Sequence, residues 1–264
     1  GVKRSLVEKV NEDYFAMLRD QHRNDFYWRA LADVAGGRVL DIGAGTGLLS
    51  LMAAKRGADV ISVEESADMA QLVRESAQHN SLESINVKEG HSTTLSFSDE
   101  EKADVIVSET FGVLLLQEGC LESFAHANQH LAKPKPTGCR VPCVPCGGAQ
   151  MLRLLSSKAL RDATGGCLPE EFKHLACWRD TGRVHFSAPG GFCVNALPDA
   201  SWMSERLSIF EVDFASSSPS DIPNSREFVL HALQDGYLDA VVTSWEVWAD
   251  KEKTEKLITH AEDT

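Results

Sequence analysis

The run Val39-Leu40-Asp41-Ile42-Gly43-Ala44-Gly45-Thr46-Gly47-Leu48-Leu49-Ser50 constrains the fold of this chain more than any other stretch. An apolar, strand-like segment enters a turn with glycine at alternate positions, and a helical apolar pattern follows at Leu48, Leu49, Met52 and Ala53. Glycine lets a backbone approach a ligand closely and take left-handed conformations. The helix beyond opens with N–H groups that its own turns cannot satisfy. A second strand-like run, Asp59-Val60-Ile61-Ser62-Val63, ends at Glu64, close to the offset at which a carboxylate holds ribose hydroxyls. Strand, glycine turn, helix, strand and terminal acid, in that order, spell a nucleotide-binding unit.

Two nucleotides suit such a unit, NAD and S-adenosylmethionine. Dinucleotide sites favour G-x-G-x-x-G around a pyrophosphate. Here the spacing is G-x-G-x-G with Asp41 in front, and an extra anion beside a pyrophosphate is unfavourable. S-adenosylmethionine carries no phosphate and bears a cationic sulfonium and ammonium, so acidic neighbours favour it.

From Gly36 to about Lys133 short strand-like runs alternate with longer helical ones, as in a doubly wound α/β sheet. Strands are predicted at 38–42, 59–64, 85–88 and 103–108, and helices at 46–55, 67–80 and 119–131. Residues 1–35 read as helical and rich in aromatics (Tyr14, Phe15, Phe26, Tyr27, Trp28). Lys133-Pro134-Lys135-Pro136 interrupts the alternation, since proline removes a donor and restricts its predecessor. The predicted division is therefore a helical segment 1–35, a Rossmann-like domain 36–135 and a second domain 136–264. In the second domain, strands predicted at 149–155, 207–214, 226–230 and 240–247 lack crossover helices between all of them, which suggests an antiparallel sheet or barrel. Residues 157–200 read as an inserted arm in which Phe172, Trp178 and Phe186, with Trp202 just beyond, either dock on a partner or pack within their own domain. Ser216 to Ser220 reads as a flexible loop.

Two glutamates carry the chemistry. Glu109 ends the strand-like run Ala103 to Ser108, and Glu118 follows an apolar loop at the mouth of a predicted helix. A loop folding back on itself would put both carboxylates in one partly desolvated pocket. Two like charges there are costly unless a cation neutralises them. A guanidinium suits that role, because its planar donors match carboxylates bidentately and it stays protonated at physiological pH.

The net charge of −13 disfavours nucleic acid as a direct partner and favours basic peptides. Seven cysteines, an odd number, argue against a closed disulfide framework and for a reducing compartment, here the cytoplasm with extension to the nucleus. Cys139, Cys143 and Cys146 have plausible zinc spacing, but Pro142 and Pro145 interleave them and no fourth ligand lies near. His126 and His130 share a helix face without a third ligand, so no metal is expected. No apolar run reaches the length of a membrane span, and no secretory pattern opens the sequence.

The glycine loop Asp41–Gly47, the strand-end Glu64, and Ser108-Glu109 through Gln117-Glu118-Gly119 together resemble the protein arginine methyltransferases, whose active-site glutamates lie on a double-E loop. Gly90-His91-Ser92-Thr93 and Ala125-His126-Ala127-Asn128-Gln129-His130-Leu131 resemble its monomethylating (type III) branch, the seventh member. The resemblance spans roughly residues 10 to 250. It implies an S-adenosylmethionine-dependent enzyme that methylates arginine in Gly-Arg-rich proteins or histone tails, with Glu109 and Glu118 as the catalytic pair. It also implies a β-barrel after the nucleotide domain, an N-terminal helix folding over the cofactor, and an arm supporting a head-to-tail homodimer. Cofactor contacts are expected from Asp41, Gly43, Gly45, Gly47 and Glu64, and from Ser92 and Thr93 where relatives place a glutamate near the adenine amino group. Arg29 is assigned over Arg23 as the arginine that binds the cofactor carboxylate. Members usually bear a Thr-His-Trp loop near the barrel's end; no such segment occurs before Thr264, so no loop residue is assigned. Two rivals stay open: a methyltransferase of another substrate class, and a cofactor-binding scaffold without turnover.

Overall fold

A computed structural model describes residues 12–135, 139–164 and 194–260. The chain enters through α1 (Glu12–Arg19) and α2 (Gln21–Ala30). Asp20 separates them and caps α2, its side chain accepting from the Arg23 N–H. Phe26 and Tyr27 are the buried face of α2.

A five-stranded parallel sheet follows: β1 (Arg38–Ile42), β2 (Asp59–Glu64), β3 (Ile85–Glu89), β4 (Val105–Ser108) and β5 (Cys143–Val144), in the order β3-β2-β1-β4-β5. Its helices are α3 (Leu48–Lys55), α4 (Ala67–His79) and α5 (Cys120–His130). The central strands have neighbours on both faces, so β1, β2 and β4 read as apolar runs without alternation. The chain runs outward from β1 to β2 and β3, then returns to lay β4 on the other side of β1, with Ile42 opposite Ser108. Such a reversal opens a crevice at the carboxyl ends of the two strands. The glycine turn and the acid loop both leave the sheet there.

Lys133–Pro136 is not the end of this sheet. β5 adds to β4 with Ile106 opposite Cys143 and Val107 opposite Val144. The prolines end only the helical pattern, and a two-residue strand between Pro142 and Pro145 leaves no periodicity to read. The parallel sheet therefore extends to Val144, and the second sheet starts at Gly147.

The second sheet is antiparallel, with β6 (Gly147–Ser156) at its centre. β9 (Ala240–Trp248) lies on one side with β10 (Lys256–Ile258) beyond it, while β7 (Ser201–Trp202) and β8 (Leu207–Asp213) lie on the other. It curls into a half-barrel. Residues 226–230 form no strand; Val229 is 82% exposed, and a segment without a buried face has nothing to hold it in register. Residues 216–220 are better tied than the serine content suggested. Asp213 accepts from the N–H groups of Ala215 and Ser216, and Ser218 and Asp221 form a capping box. Of the arm, α6 (Lys158–Thr164) and the residues from 194 are described, whereas Phe172, Trp178 and Phe186 lie outside the described residues. Trp202 is in β7 with the Arg153 guanidinium 4.5 Å above its ring.

An aromatic seam joins the layers. Phe124 of α5 stacks on Phe214 at 4.7 Å, and Phe111 lies 5.6 Å from both Phe214 and Trp245. Each such pair contributes about 0.5–1.5 kcal/mol beyond simple burial.

Candidate active site

At the end of β1 the chain turns through Gly43, whose φ of +68° and contact with Thr110 both demand glycine. A Cβ there would lie 2.5 Å from the Thr110 methyl. The N–H groups of Gly43 and Ala44 donate to the Val63 carbonyl, each at 3.0 Å. Gly45 donates its N–H to Glu64 Oε2 at 2.7 Å, and Ser66 donates to Oε1 at 2.8 Å. Glu64 is thereby fixed in the cleft wall with lone pairs left over for further donors.

Asp41 sits behind this turn, fully buried, and accepts from Ser50 Oγ at 2.6 Å. Its other oxygen has no protein partner, and burial pushes its carboxyl up to about 6. Gly47 caps α3 and packs on Val73.

The acid loop leaves β4 from a well-held end. Ser108 Oγ donates to the Ile42 carbonyl at 2.8 Å, and the buried Tyr27 hydroxyl donates to the Ser108 carbonyl at 3.0 Å. Glu109 then meets Arg23, whose Nη2 lies 2.7 Å from Oε2, with side chains only 14% and 11% exposed. Burial pushes Glu109 up to about 7; Arg23 opposes that rise and Glu118 adds to it. The loop folds back so that the exposed Glu118 lines the same cleft. This cleft, about 350 Å³, is also lined by Gly43, Gly45, Glu64 and Tyr14. The Tyr14 ring rests against Gly45, and its phenol is pushed up by burial and then by Glu64, Glu118 and Glu109.

The structure therefore brings together Gly43, Gly45, Glu64, Glu109 and Glu118, places Asp41 and Gly47 behind them, and separates three other residues. Arg29 is corrected: it lies on the surface, pairing with Glu255 at 2.5 Å and 56% exposed, while Arg23 enters the cleft. Six positions along a helix of about 3.6 residues per turn point the two arginines to different faces. Arg23 shares its side of α2 with the buried Phe26 and Tyr27, and that spacing was the available signal. Ser92 and Thr93 are also not in the cleft wall. They form a 3₁₀ turn in which Ser92 is buried and Thr93 Oγ1 is 2.7 Å from His91 Nδ1. Tyr14 is a cleft residue that sequence reasoning missed, and Arg23 is one that it weighed and set aside. Among the described residues no cluster of His, Cys, Asp or Glu is arranged to hold a metal, and no helix is long and apolar enough to cross a membrane.

Comparison with known proteins bears on this constellation. A family described as "Methyltransferase domain" matches residues 39–134. Protein arginine N-methyltransferase 7 of Anopheles gambiae is 31% identical over 274 residues, covering 94% of this chain and 38% of that protein. Over nearly its whole length the chain is thus similar to protein arginine methyltransferases. A probable histone-arginine methyltransferase 1.3 of Arabidopsis thaliana is 34% identical over 154 residues, covering 54% of this chain and 28% of that protein. The chain spans well under half the length of those relatives. The fold agrees over almost the whole chain with the Trypanosoma brucei PRMT1 enzyme–prozyme complex with AdoHcy (TM-score 0.70, 23% identity, 94% of this chain and 76% of that one). It agrees similarly with Arabidopsis thaliana protein arginine methyltransferase 10 (TM-score 0.69, 23% identity, 92% and 74%).

Proposed function

We propose that this chain transfers a methyl group from S-adenosylmethionine to the guanidinium of protein arginine, giving ω-N-monomethylarginine. The observation that carries the reading is that Glu109 and Glu118 line one cleft together with Gly43, Gly45 and Glu64. The cleft fits the cofactor by its donor set. Glu64 is held at the glycine turn to accept ribose hydroxyls, Arg23 offers a cation for a carboxylate, and the acids favour a cationic sulfur. Bound there, the cofactor supplies an activated methyl.

The chain's own residues do the rest. A protonated guanidinium is a poor nucleophile because its lone pairs are delocalised, and no carboxylate deprotonates it outright in water. Glu109 and Glu118 grip two of its nitrogens and draw positive charge toward them. The remaining terminal nitrogen is then freer to take the methyl in line, its proton leaving to a carboxylate or water. Orientation and preorganised charge carry most of the acceleration. Arg23 has a second role here, since its contact favours the ionised form of Glu109 against the cost of burial.

The monomethyl product is supported by the likeness of residues 90–93 and 125–131 to the type III branch. Gly-Arg-rich proteins and histone tails as substrates, and a head-to-tail homodimer, belong to the same proposal; the acidic charge favours basic peptides. The test is to incubate the protein with labelled cofactor and Arg-rich peptides and resolve the products. Monomethylarginine alone is expected. Dimethylarginine overturns the product assignment, and a cofactor-binding protein that yields no methylarginine overturns the enzyme.

A further inference from the structure

The acid loop is held from the second sheet by two side chains whose polar atoms serve it. Gln150 lies in the middle of β6 and is only 3% exposed. Its Oε1 accepts from the Leu115 N–H at 2.8 Å, and its Nε2 donates to the Ser244 carbonyl at 2.7 Å. Trp245, on the neighbouring β9, donates Nε1–H to the Gly112 carbonyl at 2.9 Å. Gly112 and Leu115 both lie between the two glutamates. Burying a primary amide in an apolar core is unfavourable unless its hydrogen bonds are made. A leucine would suit the core as well, so the amide at position 150 marks a connection and not mere filling.

Neighbouring contacts fit the same purpose. β6 carries Gly148 where a Cβ would come within 3.0 Å of Leu115 Cδ2, so the sheet leaves room for the loop to seat. Inside the loop, the Gln117 side chain folds back beneath Gly112 and accepts from the Leu114 N–H at 3.3 Å. Glu118 follows directly, and Leu115 also accepts from Cys120 Sγ at 3.4 Å. The exposed Glu118 is thus placed by an anchored backbone more than by its own packing.

We propose that Gln150 and Trp245 are positioning residues, a two-point anchor by which the second sheet sets the place of Glu118 opposite Glu109. The proposal rests on the methyltransferase reading above. It gives the half-barrel a part in turnover besides any surface it offers to a peptide.

The tests are Gln150→Met, close in shape without the amide, and Trp245→Phe, which keeps the ring against Phe111 without the N–H. Each is expected to lower kcat on an Arg-rich peptide about tenfold or more, the scale of a misplaced reacting group, while the calorimetric Kd for S-adenosylmethionine stays within about twofold. In a Glu118→Gln background the further loss is expected to shrink to about twofold or less, because groups that act as a unit are not additive. Leu155→Ala, a cavity at the far end of β6, controls for lost stability: it lowers the melting temperature and leaves kcat unchanged. Amide exchange read without turnover supplies a second measurement, in which Gln150→Met speeds exchange at Leu115 while the β1 and β2 amides stay protected. An active wild type with variants of unchanged kcat overturns the anchor and spares the function. An inactive wild type that binds cofactor sinks the function, and unchanged Leu115 exchange overturns the anchor whether or not the protein turns over.

Discussion

The glycine turn and the acid loop leave neighbouring strands of one sheet and line one cleft, yet they are held in different ways. The turn is a local device: Gly43, Gly45, Val63, Glu64 and Ser66 lie within two dozen residues of one another, with Gly43 donating to the Val63 carbonyl and Gly45 and Ser66 donating to Glu64. The acid loop borrows its geometry, from Tyr27 and Arg23 on α2 and from Gln150 and Trp245 on the second sheet, the last 133 positions away from its partner. Cofactor binding can therefore survive damage that abolishes turnover, and the reverse is much harder to arrange.

The sharpest way to break this contrast is Glu118→Gln. It keeps the shape and removes one of two charges, and kcat is expected to fall roughly 10²–10³-fold, as for loss of one preorganised electrostatic group. Cofactor affinity should hardly move; near-normal methylation by this variant would remove Glu118 from the chemistry. Glu64→Ala tests the other side. Loss of charge-assisted hydrogen bonds is expected to weaken cofactor affinity roughly tenfold to a hundredfold by calorimetry, and an unchanged Kd would take Glu64 out of the site.

A pH profile is expected to show a smaller, graded effect. Only ionised Glu109 can grip a cation, and burial holds its carboxyl near 7. The rate should therefore rise with pH through about 7, by up to about tenfold per unit below it, and Glu109→Gln should lose that limb along with most activity. The same shift acts in reverse on folding. A carboxyl pushed up in the folded state, like Asp41 at about 6, favours the fold fully only below its unfolded value near 3.8, and that contribution is lost as pH rises through 6. Asp41→Asn should thus melt higher than wild type above pH 7 and close the gap near pH 4. The smallest effect is expected from Arg29→Ala, whose exposed pair with Glu255 should leave cofactor affinity and melting temperature unchanged within error, whereas Arg23→Ala weakens both binding and turnover.

The first sheet was legible because its signals are contiguous. The apolar runs of β1 and β2 and the glycine turn between them lie within one window, and their observed bounds, 38–42 and 59–64, match those expected. That Glu109 and Glu118 line one cleft was also readable from two acids flanking an apolar loop, although Arg23 answers the charge of Glu109 and Glu118 stays exposed. What sequence did not show depends on side-chain direction or on distance along the chain. Arg23 and Arg29 differ in which face of α2 they occupy, not in chemistry. β5 is too short to have a period, and residues 226–230 have strand composition without a covering partner. Gln150 and Trp245 read only as strand residues, because nothing in β6 or β9 alone points to a loop on another domain.

The junction between the sheets carries a mechanical consequence. Only Pro145 and Cys146 separate β5 from β6, and the Cys146 N–H is already tied to the Trp248 carbonyl. At about 3.3–3.6 Å per residue, so short a tether gives no slack for one half to swing against the other. The cleft is therefore walled by the loops of the first sheet together with Tyr14 and Arg23 of the entry helices, while the second sheet is joined to that wall without slack.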